Sequence, residues 1–370
     1  MPAFSLHELE REAQQRLDPA VYDYFAGGAD DEITLRSNEA AFARIGLLPR
    51  VLRGAGPARL ETTILGCHIS MPILISPTAF HRLAHPEGER ATARAAAAAG
   101  TIMIVSMAST VAVGDVAEAA RNTAGGESHL WFQIYIQPDL GFTESVIQRA
   151  VSAGCSAIVV TVDSPTFGQR NRDLRNRFSD LPSGMCCENL RELSNGNGNG
   201  SVGGKIRQIV FSPGVSWKDI EWLRKVTDLK IVLKGIVHPE DAKLAVRYGA
   251  DAVLVSNHGG RQLDTVPATI DLLPAIADAV EERIPLLLDG GIRRGTDVLK
   301  AIALGANAVA IGRPVFWGLV LAGEAGVGQV LEILRSELDR AVTLSGCSSI
   351  RDLTADLLQF RPTEATCTRG

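Results

Sequence analysis

The chain has 370 residues, 46% hydrophobic and 21% charged, an ordinary globular composition that excludes a wholly disordered polymer. Lys and Arg number 37 against 42 Asp and Glu, a net charge of −5. No overall basic field therefore draws the chain to nucleic acid or an anionic membrane, although a local basic patch can still hold one small anion.

The six cysteines (Cys67, Cys155, Cys186, Cys187, Cys347, Cys367) show neither C-x-x-C pairing nor metal-ligand spacing, so free thiols in a reducing compartment and no metal are expected. The first residues carry no basic segment followed by an apolar core, and no signal peptide is expected. No uncharged apolar run reaches about 18 residues, so no membrane span is expected, and Cys367-Thr368-Arg369-Gly370 forms no peroxisomal address. The expected setting is the cytoplasm.

In chain order, Ser5 with Glu8 makes a capping box that opens an amphipathic helix through Leu17, and Tyr22-Asp23-Tyr24-Phe25 runs into Gly27-Gly28. Residues 1–70 are expected to form an N-terminal helical extension. From residue 72 a unit recurs, a short β-branched apolar run followed by a helical segment rich in Ala and charge. The runs lie at 72–76, 102–106, 131–136, 157–162, 231–234, 252–256, 285–288 and 308–311. Continuous apolarity suits strands buried on both faces of a parallel sheet.

Helices are predicted over 86–99, 239–248 and 296–304. The first two start on Pro and the third on Thr, all have acids in the first turn, and they stop at Gly100, Gly249 and Gly305. A closing helix is expected over 329–344. Eight strand–helix units predict an α/β fold, the (β/α)8 TIM barrel, with 1–370 as one domain. A doubly wound sheet would more often carry a G-x-G-x-x-G turn after its first strand, and none is present. Between the fourth and fifth strands lies a long insertion containing Leu181-Pro182-Ser183-Gly184 and a Gly/Asn stretch from Ser194 to Ser201. Such a stretch builds no core. Residues 179–214 are expected to form a mobile lid, with a disordered surface loop as the alternative.

Chemistry in this fold sits on the loops after the strands' C-terminal ends. Here the ends are polar: Ser76-Pro77-Thr78-Ala79, Ser106, Gln133-Ile134-Tyr135, Thr161-Val162-Asp163, Lys234-Gly235, Ser256-Asn257-His258, Asp289-Gly290-Gly291-Ile292-Arg293 and Gly312-Arg313. The last two loops pair Gly turns with Arg293 and Arg313, which suits a phosphate. His258 is the candidate general base. Asp163 is its candidate orienting carboxylate, with Asp289 as the competitor. The remaining six histidines read as surface or packing residues. Arg170, Arg261 and Tyr24 suit a carboxylate, which a guanidinium fork binds through both oxygens. A lyase using Lys234 as a Schiff-base nucleophile is a different reading of the same barrel.

The segment Ser256-Asn257-His258-Gly259-Gly260-Arg261-Gln262-Leu263-Asp264 resembles the FMN-dependent 2-hydroxy-acid oxidases and dehydrogenases, the family of glycolate oxidase, lactate oxidase and mandelate dehydrogenase. Tyr22-Asp23-Tyr24-Phe25, Pro77-Thr78-Ala79, His85-Pro86-Glu87-Gly88-Glu89, Leu288-Asp289-Gly290-Gly291 and Ile311-Gly312-Arg313-Pro314 agree, in order along nearly the whole chain. The resemblance implies that FMN is the cofactor. Gly291, Arg293, Gly312 and Arg313 would hold its phosphate, with Asp289 and Gly290 beside the same ligand. Its ring would lie on Pro77, Thr78 and Ala79, with Ser106, Gln133, Thr161 and Ser256 bonding its edge and Lys234 near its N1. Tyr24, Arg170 and Arg261 would bind a substrate carboxylate, and Tyr135 its hydroxyl. His258, with Asp163, would take a proton as a 2-hydroxy acid of S configuration becomes a 2-oxo acid. Family habit implies a homotetramer.

Two departures stand out. Asn171 follows Arg170 where many relatives carry Glu, and Ala108 stands where short-chain glycolate oxidases carry a bulky Trp. Loss of that wall points to longer or aryl 2-hydroxy acids, lactate through mandelate, with Phe80 and Phe167 lining the space. The absence of a haem domain and the polar lid point to O2 as acceptor, giving hydrogen peroxide. A quinone or carrier-protein acceptor is the alternative.

Overall fold

A computed structural model describes residues 4–54, 56–123, 128–191 and 209–360 of the chain. The predicted barrel is present. Its parallel strands are β1 (Ile73–Ile75), β2 (Ile102–Ser106), β3 (His129–Ile134), β4 (Ala157–Thr161), β5 (Lys230–Ile236), β6 (Ala252–Val255), β7 (Leu286–Asp289) and β8 (Ala308–Ile311). They pair in sequence, and β8 returns to β1 to close the ring.

Each strand is apolar through its middle, where both faces are covered, and polar residues are confined mainly to its ends. Leu74, Ile104, Trp131, Val159, Val232, Leu254 and Leu287 form the barrel interior, which is sealed at the strands' N-terminal ends by the hairpin of Thr62–Ile64 and Cys67–Ile69. Alternate residues such as Ile75, Val105, Phe132, Val160, Leu233 and Val255 join the larger core shared with the helices. Burying one such side chain contributes about 1.5–3 kcal/mol, so the packed interior leaves function to the other end of the ring.

The helices are α1 (Leu6–Arg16), α2 (Pro19–Ala26), α3 (Ile33–Ala43), α4 (Glu89–Ala98), α5 (Val113–Thr123), α6 (Leu140–Ala153), α7 (Asn171–Arg175), α8 (Trp217–Val226), α9 (Pro239–Arg247), α10 (Thr269–Val280), α11 (Gly295–Ala303) and α12 (Arg313–Leu344). Several boundaries differ from expectation. Ser5 caps α1 by accepting from the Glu8 N–H, but the Glu8 carboxylate takes the Phe4 N–H, so the box is only half formed. The helix expected from Pro86 starts at Glu89, because Gly88 has a φ of 52° and lies outside helical space.

The closing helix begins at Arg313 rather than near Gln329, and a break at Ala322–Gly323 splits it in two. The stretch is long and apolar enough to cross a membrane, yet 61% of its apolar window is buried, as expected of a core helix. Of the expected lid, 192–208 lie outside the described residues. The outgoing limb is anchored, since Leu181 and Cys187 are buried and Asn189 bonds to Val113 and Ser109. The returning limb places Phe211 edge-on to both Tyr135 and Phe167.

Candidate active site

His258 leaves β6 in a tight turn. It has a φ of 58°, followed by Gly259 and Gly260 at 61° and 73°, and Asn257 locks the turn through paired amide bonds to Asn38 of 2.9 and 2.8 Å. The turn aims the imidazole across the barrel mouth. His258 Nδ1 lies 2.8 Å from Asp163 Oδ1, which also accepts from Ser164 Oγ at 2.8 Å. Asp163 stands beside a β5 bulge at Lys234/Ile236. Gly235 there has a φ of 110°, and a Cβ would come within 2.7 Å of the Asp163 side chain. Glycine is what allows this carboxylate to reach the histidine.

Burial works to raise the Asp163 pKa, but His258, Lys234 and Ser164 outweigh it and hold it at about 2. The ionised carboxylate only accepts hydrogen bonds, so Nδ1 carries the proton and Nε2 presents a free lone pair. Burial pushes the His258 pKa below 6.5; Asp163 pulls it back up, while Lys234 and Arg170 push it further down. Asp289, the competing partner, instead accepts from Ser76 Oγ at 3.0 Å and lies 3.7 Å from Lys234 Nζ.

A prediction follows for pH. A base whose pKa is lowered keeps its neutral form at and above 6.5 and loses it as pH falls below that value. The acid limb of kcat/KM for the enzyme's substrate is therefore expected below pH 6.5, measured by steady-state turnover. A limb displaced above 6.5 contradicts this electrostatic assignment.

Tyr24, Arg170 and Arg261 converge on the same cavity. The Arg261 guanidinium lies 5.1 Å and that of Arg170 5.9 Å from the Tyr24 ring centre, within cation–π range. Burial lowers the Arg261 pKa to about 10, and Arg170 adds to the shift. The counter-charge beside them is Asp173, 3.8 Å from Arg170. Arg170 Nε is buried without a partner. Two crowded cations that share one long ion pair favour an anionic ligand. Arg261 is only half free, however, because Nη1 donates to the carbonyls of Tyr24 and Gly27, each at 2.8 Å. Tyr135 lines the same cavity, and burial raises its pKa, so its hydroxyl stays a donor.

A polar ladder crosses the floor. Ser106 Oγ donates to Gln133 Oε1, and Gln133 Nε2 donates to Thr161 Oγ1, both at 3.0 Å. Lys234 Nζ donates to Ser256 Oγ at 3.0 Å, and Ser256 Oγ accepts from the His258 N–H at 3.1 Å. Pro77, Thr78 and Ala79 form a half-buried wall of the cavity. Past the end of β7, Gly290 and Gly291 also line it. A Cβ on Gly291 would collide with the Asn38 carbonyl.

Arg293 pairs with Glu39 at 2.7 Å and keeps a buried, unpartnered Nε. Arg313 is not the open fork expected beside Gly312. Its Nε and Nη2 donate to the carbonyls of Phe25, Ala26 and Gly27, leaving Nη1 near Gly259. Burial, with Arg261 and Arg293 nearby, takes its pKa down to about 9. Several participants were not singled out from the sequence. Asn38 and Ser164 carried no local signal, and Ile209 and Phe211 fall in the expected lid. His81, one of the histidines that the sequence marks as surface or packing residues, bonds to Thr78.

Residues 13–360 match the family described as FMN-dependent dehydrogenase. The chain belongs to that family. It is 47% identical over 360 residues to an L-lactate oxidase of Nostoc sp., covering 96% of this chain and 98% of the relative. It is 45% identical over 365 residues to 2-hydroxyacid oxidase 1 of Homo sapiens, covering 96% of each. Among solved structures, a mandelate oxidase variant with (S)-mandelic acid superposes with a TM-score of 0.87 at 40% identity, covering 97% and 98% of the two chains.

The cavity of this FMN-dependent dehydrogenase fits its cofactor. Asp289 Oδ1 and Arg293 Nε are buried polar atoms without partners, as expected where a polyhydroxylated phosphate ester completes the bonding. Arg293 and Arg313 supply cations for a phosphate. The ladder through Ser106, Gln133 and Thr161, continued by Lys234 and Ser256, offers alternating donors and acceptors to a ring edge. When bound, FMN supplies the two-electron acceptor that the protein's own side chains lack.

Proposed function

We propose that this enzyme oxidises (S)-2-hydroxy acids of lactate to mandelate size to 2-oxo acids, with O2 as the electron acceptor and hydrogen peroxide the second product. The observation that carries the reading is the placement of a neutral, carboxylate-oriented His258 and the Arg170–Arg261 cation pair on one cavity. Arg170, Arg261 and Tyr24 bind the carboxylate, and Tyr135 donates to the substrate hydroxyl. His258 Nε2 accepts a proton as the alcohol carbon is oxidised, and Asp163 stabilises the resulting imidazolium. Lys234 is held between Ser256 and Asp289, where it would support negative charge on the ring edge; a side chain tied to both partners disfavours the lyase reading.

Substrate size rests on the wall. Ala108, 2% exposed, lines the cavity with Phe80, Phe167 and Ile209, and a small side chain there leaves apolar room. The relatives' names include L-lactate oxidase and mandelate oxidase but also glycolate oxidase, so the wall and not the names carries the size assignment. The test is a panel of glycolate, lactate, 2-hydroxyoctanoate and mandelate, with peroxide measured per 2-oxo acid formed.

Peroxide is expected in a one-to-one ratio, with kcat/KM higher for lactate or mandelate than for glycolate. Ala108→Trp is expected to cut kcat/KM on mandelate by roughly tenfold or more relative to glycolate, the scale set by overpacking costs of about 1–3 kcal/mol. Turnover on an artificial acceptor without peroxide overturns the acceptor, and a preference for glycolate overturns the size assignment.

A further inference from the structure

The wall segment Pro77–Thr78–Ala79 is followed by Phe80, whose φ of 68° is strained for a bulky residue. The short 3-10 turn His81–Leu83 then carries His81 inward, where it is 1% exposed. The ring is bonded at both nitrogens. Nε2 lies 2.7 Å from Thr78 Oγ1 and Nδ1 lies 2.9 Å from Thr92 Oγ1 of α4. The His81 N–H donates to Glu89 Oε1 at 3.1 Å, and the same oxygen takes the Thr110 N–H at 2.8 Å. The edge of the Phe316 ring closes the pocket, with centroids 5.0 Å apart.

Filling a core pocket does not require this bonding. A neutral imidazole donates from one nitrogen and accepts at the other, and burial lowers the His81 pKa although Glu89 pulls it up. Thr78 and Thr92 therefore meet opposite partners. Thr78 lines the cavity. If the ring donates at Nδ1, Nε2 takes the Thr78 proton and the Thr78 oxygen is left as an acceptor only. If it donates at Nε2, the Thr78 hydroxyl keeps a proton to donate elsewhere.

We propose that His81 is a positioning residue that sets the donor or acceptor sense of the Thr78 hydroxyl toward the FMN ring, and through it the ring's preference for its reduced state. The proposal rests on the reading of Pro77, Thr78 and Ala79 as the wall on which the ring lies. His81 does not line the cavity; its ring meets both the hydroxyl and the backbone of Thr78, and the proposed effect runs through the hydroxyl.

The test is the midpoint potential of bound FMN in a double-mutant cycle of His81→Phe or His81→Gln with Thr78→Val. His81→Phe removes both ring hydrogen bonds. It is expected to change the relative affinity for reduced over oxidised FMN at least tenfold, about 30 mV for a two-electron couple. His81→Gln keeps a polar partner without the fixed single-donor choice, and should give a change of at least threefold, about 15 mV. It carries the test alone if the Phe variant does not fold. In the Thr78→Val background both shifts should vanish. Shifts that persist there, or variants that leave the potential unchanged while Thr78→Val alone moves it, overturn the role of His81. If Thr78→Val moves nothing, the wall assignment itself fails.

Discussion

His258→Ala is expected to keep FMN and to slow its reduction by a 2-hydroxy acid roughly 10²–10⁴-fold, the usual contribution of a general base. Retention follows from the geometry. The groups assigned to the phosphate, Arg293 and Arg313, bond to Glu39 and the carbonyls of Phe25, Ala26 and Gly27, not to the imidazole. The loss of rate follows because Nε2 is the free basic atom of the Asp163–His258 pair, and removing the ring leaves a buried carboxylate that cannot reach a substrate proton. One structural cost accompanies the change. Position 258 has a φ of 58°, a conformation that costs any residue with a Cβ about 1–2 kcal/mol and that Ala adopts less readily than His. Asn tolerates this conformation better, so His258→Asn separates the two effects. Both variants should hold the cofactor, seen by flavin absorbance, and both should be slow in anaerobic stopped-flow reduction. Reduction near the wild-type rate in His258→Asn removes His258 from the role of base.

Much of the scaffold was legible because its physics is local. A strand buried on two faces must be apolar along its middle, and β2 or β4 cannot hide that in the sequence. Polar residues at the ends of such strands have nowhere to go but the mouth of the ring, which is why Gln133, Thr161, Lys234 and Ser256 are assignable to it from the sequence. The misses are tertiary. Nothing near Gly88 in the chain announces that the backbone turns to positive φ before α4 can start.

Gly323, at the break, lies against the ring of His85, where a Cβ would come within 3.0 Å, and that ring is contributed by a distant loop. Asn38 braces Asn257 across more than two hundred residues. His81, between Phe80 and Arg82 in the chain, carries no local signal until Thr78 and Thr92 are seen on either side of it. The choice between Asp163 and Asp289 was open in sequence for the same reason. Either strand end could supply a carboxylate, and the β5 bulge at Gly235 decides which one meets the histidine.

Arg261→Lys, although it keeps the charge, is expected to lower kcat/KM for 2-hydroxy acids roughly 30- to 100-fold, mainly through KM. That is the low end of the about 2–5 kcal/mol lost when a buried, hydrogen-bonded charge pair is broken on one side. The structure shows why charge alone does not suffice. The guanidinium divides its work: Nη1 is spent on the Tyr24 and Gly27 carbonyls, and the remaining donors are left for the cavity. Gly27 has a second donor in Arg313.

A lysine offers one nitrogen on a flexible stem and cannot brace the end of α2 while also meeting a planar carboxylate. An interaction made equally in ground and transition states appears in KM with kcat retained. The decisive comparison uses the matching 2-hydroxy amide, which has the same carbon skeleton but no anionic group. If Arg261 recognises the carboxylate, the penalty of the lysine variant shrinks to a few-fold or less on the amide. If it is as large on the amide as on the acid, Arg261 acts on the shape of the site and the carboxylate is bound elsewhere.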